Sequence, residues 1–82
     1  MTDLKDTITL MVSDDYKDRF KAEYYQTKIR YEKLHKMVVK AEAGTLEFTP
    51  TVPLELLIEQ KSLMGQYLHK LEIRAEIEEI AL

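Results

Sequence analysis

Along the first half of the chain, Phe20, Tyr24, Thr27, Tyr31, Leu34, Val38 and Ala41 follow one another at alternating intervals of four and three. That is the a/d seam of a helix made to lie along another helix. Ser13 offers a hydroxyl to cap the free amides at its start, and Asp14 and Asp15 stand where the positive end of the helix dipole favours carboxylates. Gly44 falls where a left-handed C-terminal cap is needed. The pattern therefore predicts a helix over 13–42. Downstream, Leu57, Met64, Leu68, Leu71 and Ala75 form the main stripe of a second helix over 53–80. Pro53 is tolerated in its first turn, because the missing N–H has no helical partner there anyway. Leu54, Leu56, Ile58, Leu63, Tyr67, Ile73, Ile77 and Ile80 spread apolar character further round that helix than one partner can cover. The remainder implies helices from other copies of the chain.

Between the two patterns, Gly44, Pro50 and Pro53 fall within ten residues, which is the punctuation of a helical hairpin with a loop over 43–52. Each helix should be roughly 40 Å long at the α-helical rise. Residues 1–12 are ambiguous: Thr7, Ile8 and Thr9 are β-branched, yet Leu4, Ile8, Met11 and Val12 also recur at helical spacing. A short N-terminal helix or arm packed on a neighbour fits best. The expected fold is all-α, one domain over 1–82: an antiparallel two-helix hairpin with an N-terminal arm, assembled into a symmetric helical oligomer.

Size sharpens the expectation of self-association. A chain of 82 residues buries a modest core, and such cores usually need disulfides, metals or partner subunits. Cysteine is absent, which removes disulfides and thiolate metal sites and fits a reducing cytoplasm. No stretch approaches the roughly 20 apolar residues of a membrane span. The start, MTDLKDTITLMV, carries acids where a secretory signal carries bases, so a soluble cytoplasmic protein is expected.

The net charge of −3 conceals an asymmetry. Tyr16 to Lys40 hold eight Lys/Arg against three acids, whereas Leu54 to the end hold six Glu against three bases. Two readings stand: pairing between neighbouring helices or subunits, or a basic face that meets an anionic ligand. Within KAEYYQTKIRYEKLHK, Lys17, Lys21, Tyr25 and Lys28 share one side of the first helix, beside the seam residues Tyr24 and Tyr31. Tyrosine rings stack on bases and lysines hold phosphates, so this side would suit a nucleotide. The same residues are also compatible with an ordinary seam and a solvated face. Duplex nucleic acid fits poorly, given the negative net charge and the lack of helix-turn-helix spacing.

Catalysis has little support. The hydroxyls of Ser13 and Ser62 have no evident base, His35 and His69 lie on different helices, and there is no phosphate-cradling glycine loop. Glu32 and His35 have the Glu-x-x-His spacing of di-iron bundles, but Tyr31 and Leu34 hold the seam and turn them outward. No enzyme, cofactor or metal site is expected. Two oddities remain. Gly65 sits in mid-helix at a cost of roughly 1 kcal/mol, which permits close approach of a backbone or ligand. Arg74 lies at the edge of the Tyr67/Leu71 stripe, where a buried arginine needs an anion.

The second helix resembles small phage and prophage helical hairpins of the crAss-like-phage type, in Leu57, Ile58, Gln60, Met64, Tyr67, Leu71 and Arg74. The likeness covers about residues 14–80. Similar hairpins include the anti-CBASS and anti-Thoeris sponges, which form homo-oligomers, often hexamers, and sequester nucleotide immune messengers uncleaved. The resemblance implies an anti-defence protein whose ligand is a cyclic dinucleotide, a cyclic trinucleotide or a cyclic ADP-ribose type molecule, held between protomers. The candidate ligand-binding residues, Lys21, Tyr24, Tyr25, Lys28 and Arg74, are chosen on chemistry alone. The rival readings are a helical adaptor for a host protein and a small nucleic-acid-associated regulator.

Overall fold

A carboxylate, rather than the serine expected for the role, caps the first long helix. The computed structural model describes residues 3–82; the first two positions of the expected N-terminal arm lie outside the described residues. Asp15 has extended backbone angles and its Oδ1 accepts from the Lys17 amide at 2.9 Å. Ser13 braces the approach instead: its Oγ accepts from the Asp15 amide at 3.1 Å and donates to Asp18 Oδ2 at 2.8 Å. Two side chains thus share the capping work predicted for one. The helix they start, α2, spans Tyr16–Ala43. It stops at Gly44 in the left-handed region (φ 76°), where the Gly44 and Thr45 amides reach back to the carbonyls of Ala41 and Lys40. This double bond is the Schellman closure, for which glycine is suited by its lack of a Cβ.

The last helix, α3, spans Leu54–Ile77 and begins on Pro53, whose carbonyl accepts from the Leu56 and Leu57 amides. It ends earlier than its apolar pattern suggests. Glu79 turns left-handed at φ 56°, and the Ile80 amide bonds back to the Ala75 carbonyl at 2.8 Å. The turn folds Ile80 into the core beside Ala75, so this residue joins the core after the helix has ended.

Contacts between α2 and α3 run in opposite directions: Phe20 meets Arg74, Tyr24 meets Glu72 and Tyr31 meets Gly65. The hairpin is therefore antiparallel. Its core is Phe20, Tyr24, Leu68, Leu71, Ala75 and Ile80, gathered away from the connecting loop, while Thr27, Leu34 and Ala41 of the expected seam are only half-buried.

The N-terminal segment forms a second layer. A 3-10 turn, Leu4–Thr7, is held by reciprocal Asp3 and Asp6 bonds and runs into the short helix α1, Ile8–Met11. The neighbour it packs on is α2 of its own chain. Buried Thr7 donates to the Leu4 carbonyl at 2.7 Å and accepts from Gln26 Nε2 at 3.0 Å. Ala22 and Ile29, buried on that same side of α2, form a stripe outside the a/d seam.

The described residues hold nine buried apolar side chains against fourteen large exposed ones, in a body of 43 × 24 × 17 Å. More large apolar side chains are therefore exposed than the hairpin's own core takes in. Leu56, Leu63, Tyr67 and Ile77 line one outer face of α3 at helical spacing, with Ile77 76% exposed. Among the described residues, the ion pair Arg74–Glu78 lies at the end of α3, and none joins basic α2 to α3.

Candidate functional site

The candidate site is built around the glycine in the middle of α3. A Cβ on Gly65 would lie 3.3 Å from Cε1 of Tyr31 and 3.7 Å from its hydroxyl oxygen. Glycine is what allows the Tyr31 ring to close against the α3 backbone. The His35 ring lies parallel to that of Tyr31, 2° apart in plane with centroids 6.2 Å apart, an offset stack one turn along α2.

Two open recesses share Tyr31 and Gly65 as walls. The larger, about 730 Å³, is lined also by Lys61, Ser62, His69 and Lys70, with Ile58 and Gln66 completing it. No carboxylate lines it, although six Glu lie between Leu54 and the end of the chain. The smaller, about 260 Å³, is lined by Tyr24, Lys28, Glu32, Leu68 and Glu72 besides the shared pair. The first is a cationic compartment; the second mixes one lysine with two carboxylates.

Tyr24 belongs to the core as much as to the recess. Its hydroxyl donates to Glu72 Oε2 at 2.7 Å, and burial, then the hydrogen bond and charge of Glu72, push its pKa up from 10.0 to about 12. Lys28 Nζ stands 5.8 Å from the Tyr24 ring centroid, within cation–π reach, and Tyr25 meets the same ring edge-on at 5.2 Å. Tyr24, Tyr25 and Lys28 therefore form one contact group, with Tyr24 anchoring the other two.

The chain matches the family model described as Sequestin over residues 14–77. It belongs to the Sequestin family. The match takes in both long helices and every residue lining the two recesses, and leaves out α1. No curated protein and no solved structure matches the chain. The family's name denotes sequestering a molecule, which agrees with the sponge resemblance read from the second helix.

In this Sequestin-family chain the remaining candidates fall elsewhere. Lys21 and Tyr25 are half-buried on the α2 face that carries Lys28, but line neither recess. Arg74 engages its own chain: its guanidinium lies 4.9 Å from the Phe20 ring centroid, donates to the Tyr16 hydroxyl at 2.8 Å, and pairs with Glu78 at 3.7 Å. It is half-exposed, so the partner it needs is supplied by Tyr16 and Glu78 at the hairpin's open end. Glu32 and His35 are exposed, and the described residues contain no group of three or more carboxylates and histidines placed to hold a metal ion. No helix among the described residues is long and apolar enough to cross a membrane.

Sequence reasoning singled out Gly65 on α3 but not the polar side chains around it. Lys61 and Lys70 entered only the charge balance, and Ser62 and His69 only the search for catalysis, yet all four stand three to five residues from Gly65, on the turns either side of it. A mid-helix glycine flanked by cations and hydroxyls and free of acids was the available signal.

Proposed function

We propose that this protein is a non-catalytic phage or prophage sponge that holds a cyclic or related nucleotide messenger of bacterial immunity in the host cytoplasm. The observation that carries the reading is the carboxylate-free recess beside Tyr31, which two lysines line in a chain of net charge −3. Such a surface suits phosphates next to an aromatic ring. Membership of the Sequestin family supports capture as the role. Binding is stoichiometric, so slow release matters and turnover does not.

The working form is a homo-oligomer. The apolar face of α3 and the thin core both support further copies packing on it, which would close the open recesses at subunit junctions. Native mass spectrometry with cyclic di- and trinucleotides and cyclic ADP-ribose isomers tests both points. A defined oligomer that gains whole-number ligand masses, released intact on denaturation, is expected. Lys28→Ala, which removes the one lysine lining the smaller recess, should weaken ligand binding at unchanged oligomer size. An oligomer that ignores the whole panel would instead indicate a protein-binding adaptor.

A further inference from the structure

We infer that the two recesses read opposite ends of one ligand: phosphates on Lys61 and Lys70, and a neutral, hydrogen-bond-donating end towards Glu32 and Glu72. The inference rests on the nucleotide reading above and adds an orientation to it. The larger recess holds two cations and no carboxylate, and Ser62 and His69 add hydrogen-bonding groups that suit phosphate oxygens. The smaller one holds Lys28 against two carboxylates, a net negative compartment. A phosphate seated there would meet like charge, whereas a base amine or a sugar hydroxyl would find acceptors. Glu72 keeps capacity for this role: Tyr24 occupies one of its roughly four lone-pair sites. Tyr31 forms the common wall, so a flat ring placed at the junction would meet its face with His35 stacked behind. Gly65 lets that common wall sit directly on the α3 backbone, because any larger residue would press on the Tyr31 ring.

The lysines have no other evident task. Among the described residues, neither Lys61 nor Lys70 is in an ion pair. Their replacement by glutamine should leave the fold intact, which a thermal melt verifies.

Inorganic pyrophosphate is the probe, followed by backbone amide shifts of the whole protein. The shifts should centre on residues 61–70, and Lys61→Gln/Lys70→Gln should weaken binding by about tenfold or more for two lost charge-assisted contacts. Glu32→Gln/Glu72→Gln should not weaken pyrophosphate at all. Shifts centred on Lys21 and Lys28, or an unaffected lysine variant, would overturn the orientation. The two readings also fail separately. If the wild type holds a messenger and the lysine variant holds it equally well, the orientation is wrong and the sponge stands. If pyrophosphate seats at Lys61 and Lys70 but no messenger binds, the anion end stands and the nucleotide reading falls.

Discussion

Tyr24 shows how one side chain can read as a ligand contact and yet be anchored in the core. Its ring is buried with Leu68 and Leu71, and its hydroxyl is held by Glu72 across the hairpin. The folded protein keeps the Tyr24 proton more tightly than the unfolded chain does, with a pKa of about 12 against 10.0. The associated stability is complete below pH 10 and is lost as pH rises towards 12. A separation of that size corresponds to roughly 3 kcal/mol at most. Chemical denaturation at stepped alkaline pH should show this loss in the wild type and a smaller one in Tyr24→Phe. Equal losses would mean that the phenol does not feel its burial. Lys28, by contrast, lies over the Tyr24 ring and lines the smaller recess, so its removal should cost binding more than stability.

At the scale of elements, the helix ends carry the lesson. Gly44 closes α2 with no Cβ to strain, but Glu79 performs the same left-handed turn after α3 with a full side chain. The turn is retained because it swings Ile80 into the core. Glu79→Gly should therefore raise stability by about 0.5–1 kcal/mol, relieving the left-handed strain without disturbing the Ile80 contact. A rise in midpoint denaturant at constant slope would confirm it; a fall would show that the Glu79 side chain contributes something else. The turn explains why α3 was expected to run to residue 80: Ile80 continues the apolar pattern in sequence but reaches the core through a loop.

For the whole molecule, the imbalance between buried and exposed apolar residues governs behaviour. Leu63, Tyr67 and Ile77 stand on the outer face of α3, where one hairpin has nothing to cover them. Leu63→Lys/Ile77→Lys should lower the sedimentation coefficient to that of a smaller species and leave the helical content of the hairpin largely unchanged. An unaltered assembly size would remove this face from the interface. Charge belongs to this scale too. No ion pair among the described residues links α2 to α3, so the basic surplus on α2 is left for a ligand or another subunit.

The helices, the hairpin and the loop between them were legible in the sequence, because apolar spacing, Gly44 and the two prolines are local signals whose physics acts within a few residues. The outer apolar face of α3 was legible for the same reason. The capping of α2 was less so: Ser13, Asp14 and Asp15 are all capable caps, and the choice depends on which one the Ser13–Asp18 bond leaves free. The covering of Ala22 and Ile29 by the N-terminal segment could not be read from the seam, since it depends on Thr7 and Gln26 meeting across nineteen positions. The candidate site was legible only on its α2 side. Tyr24 and Lys28 stand out by type and spacing on one helix, but Lys61, Ser62, His69 and Lys70 line a common recess only where Gly65 admits Tyr31 from the other. Local pattern determines which helices form; the register between them, set by packing of residues far apart in the chain, determines which residues face each other across the groove.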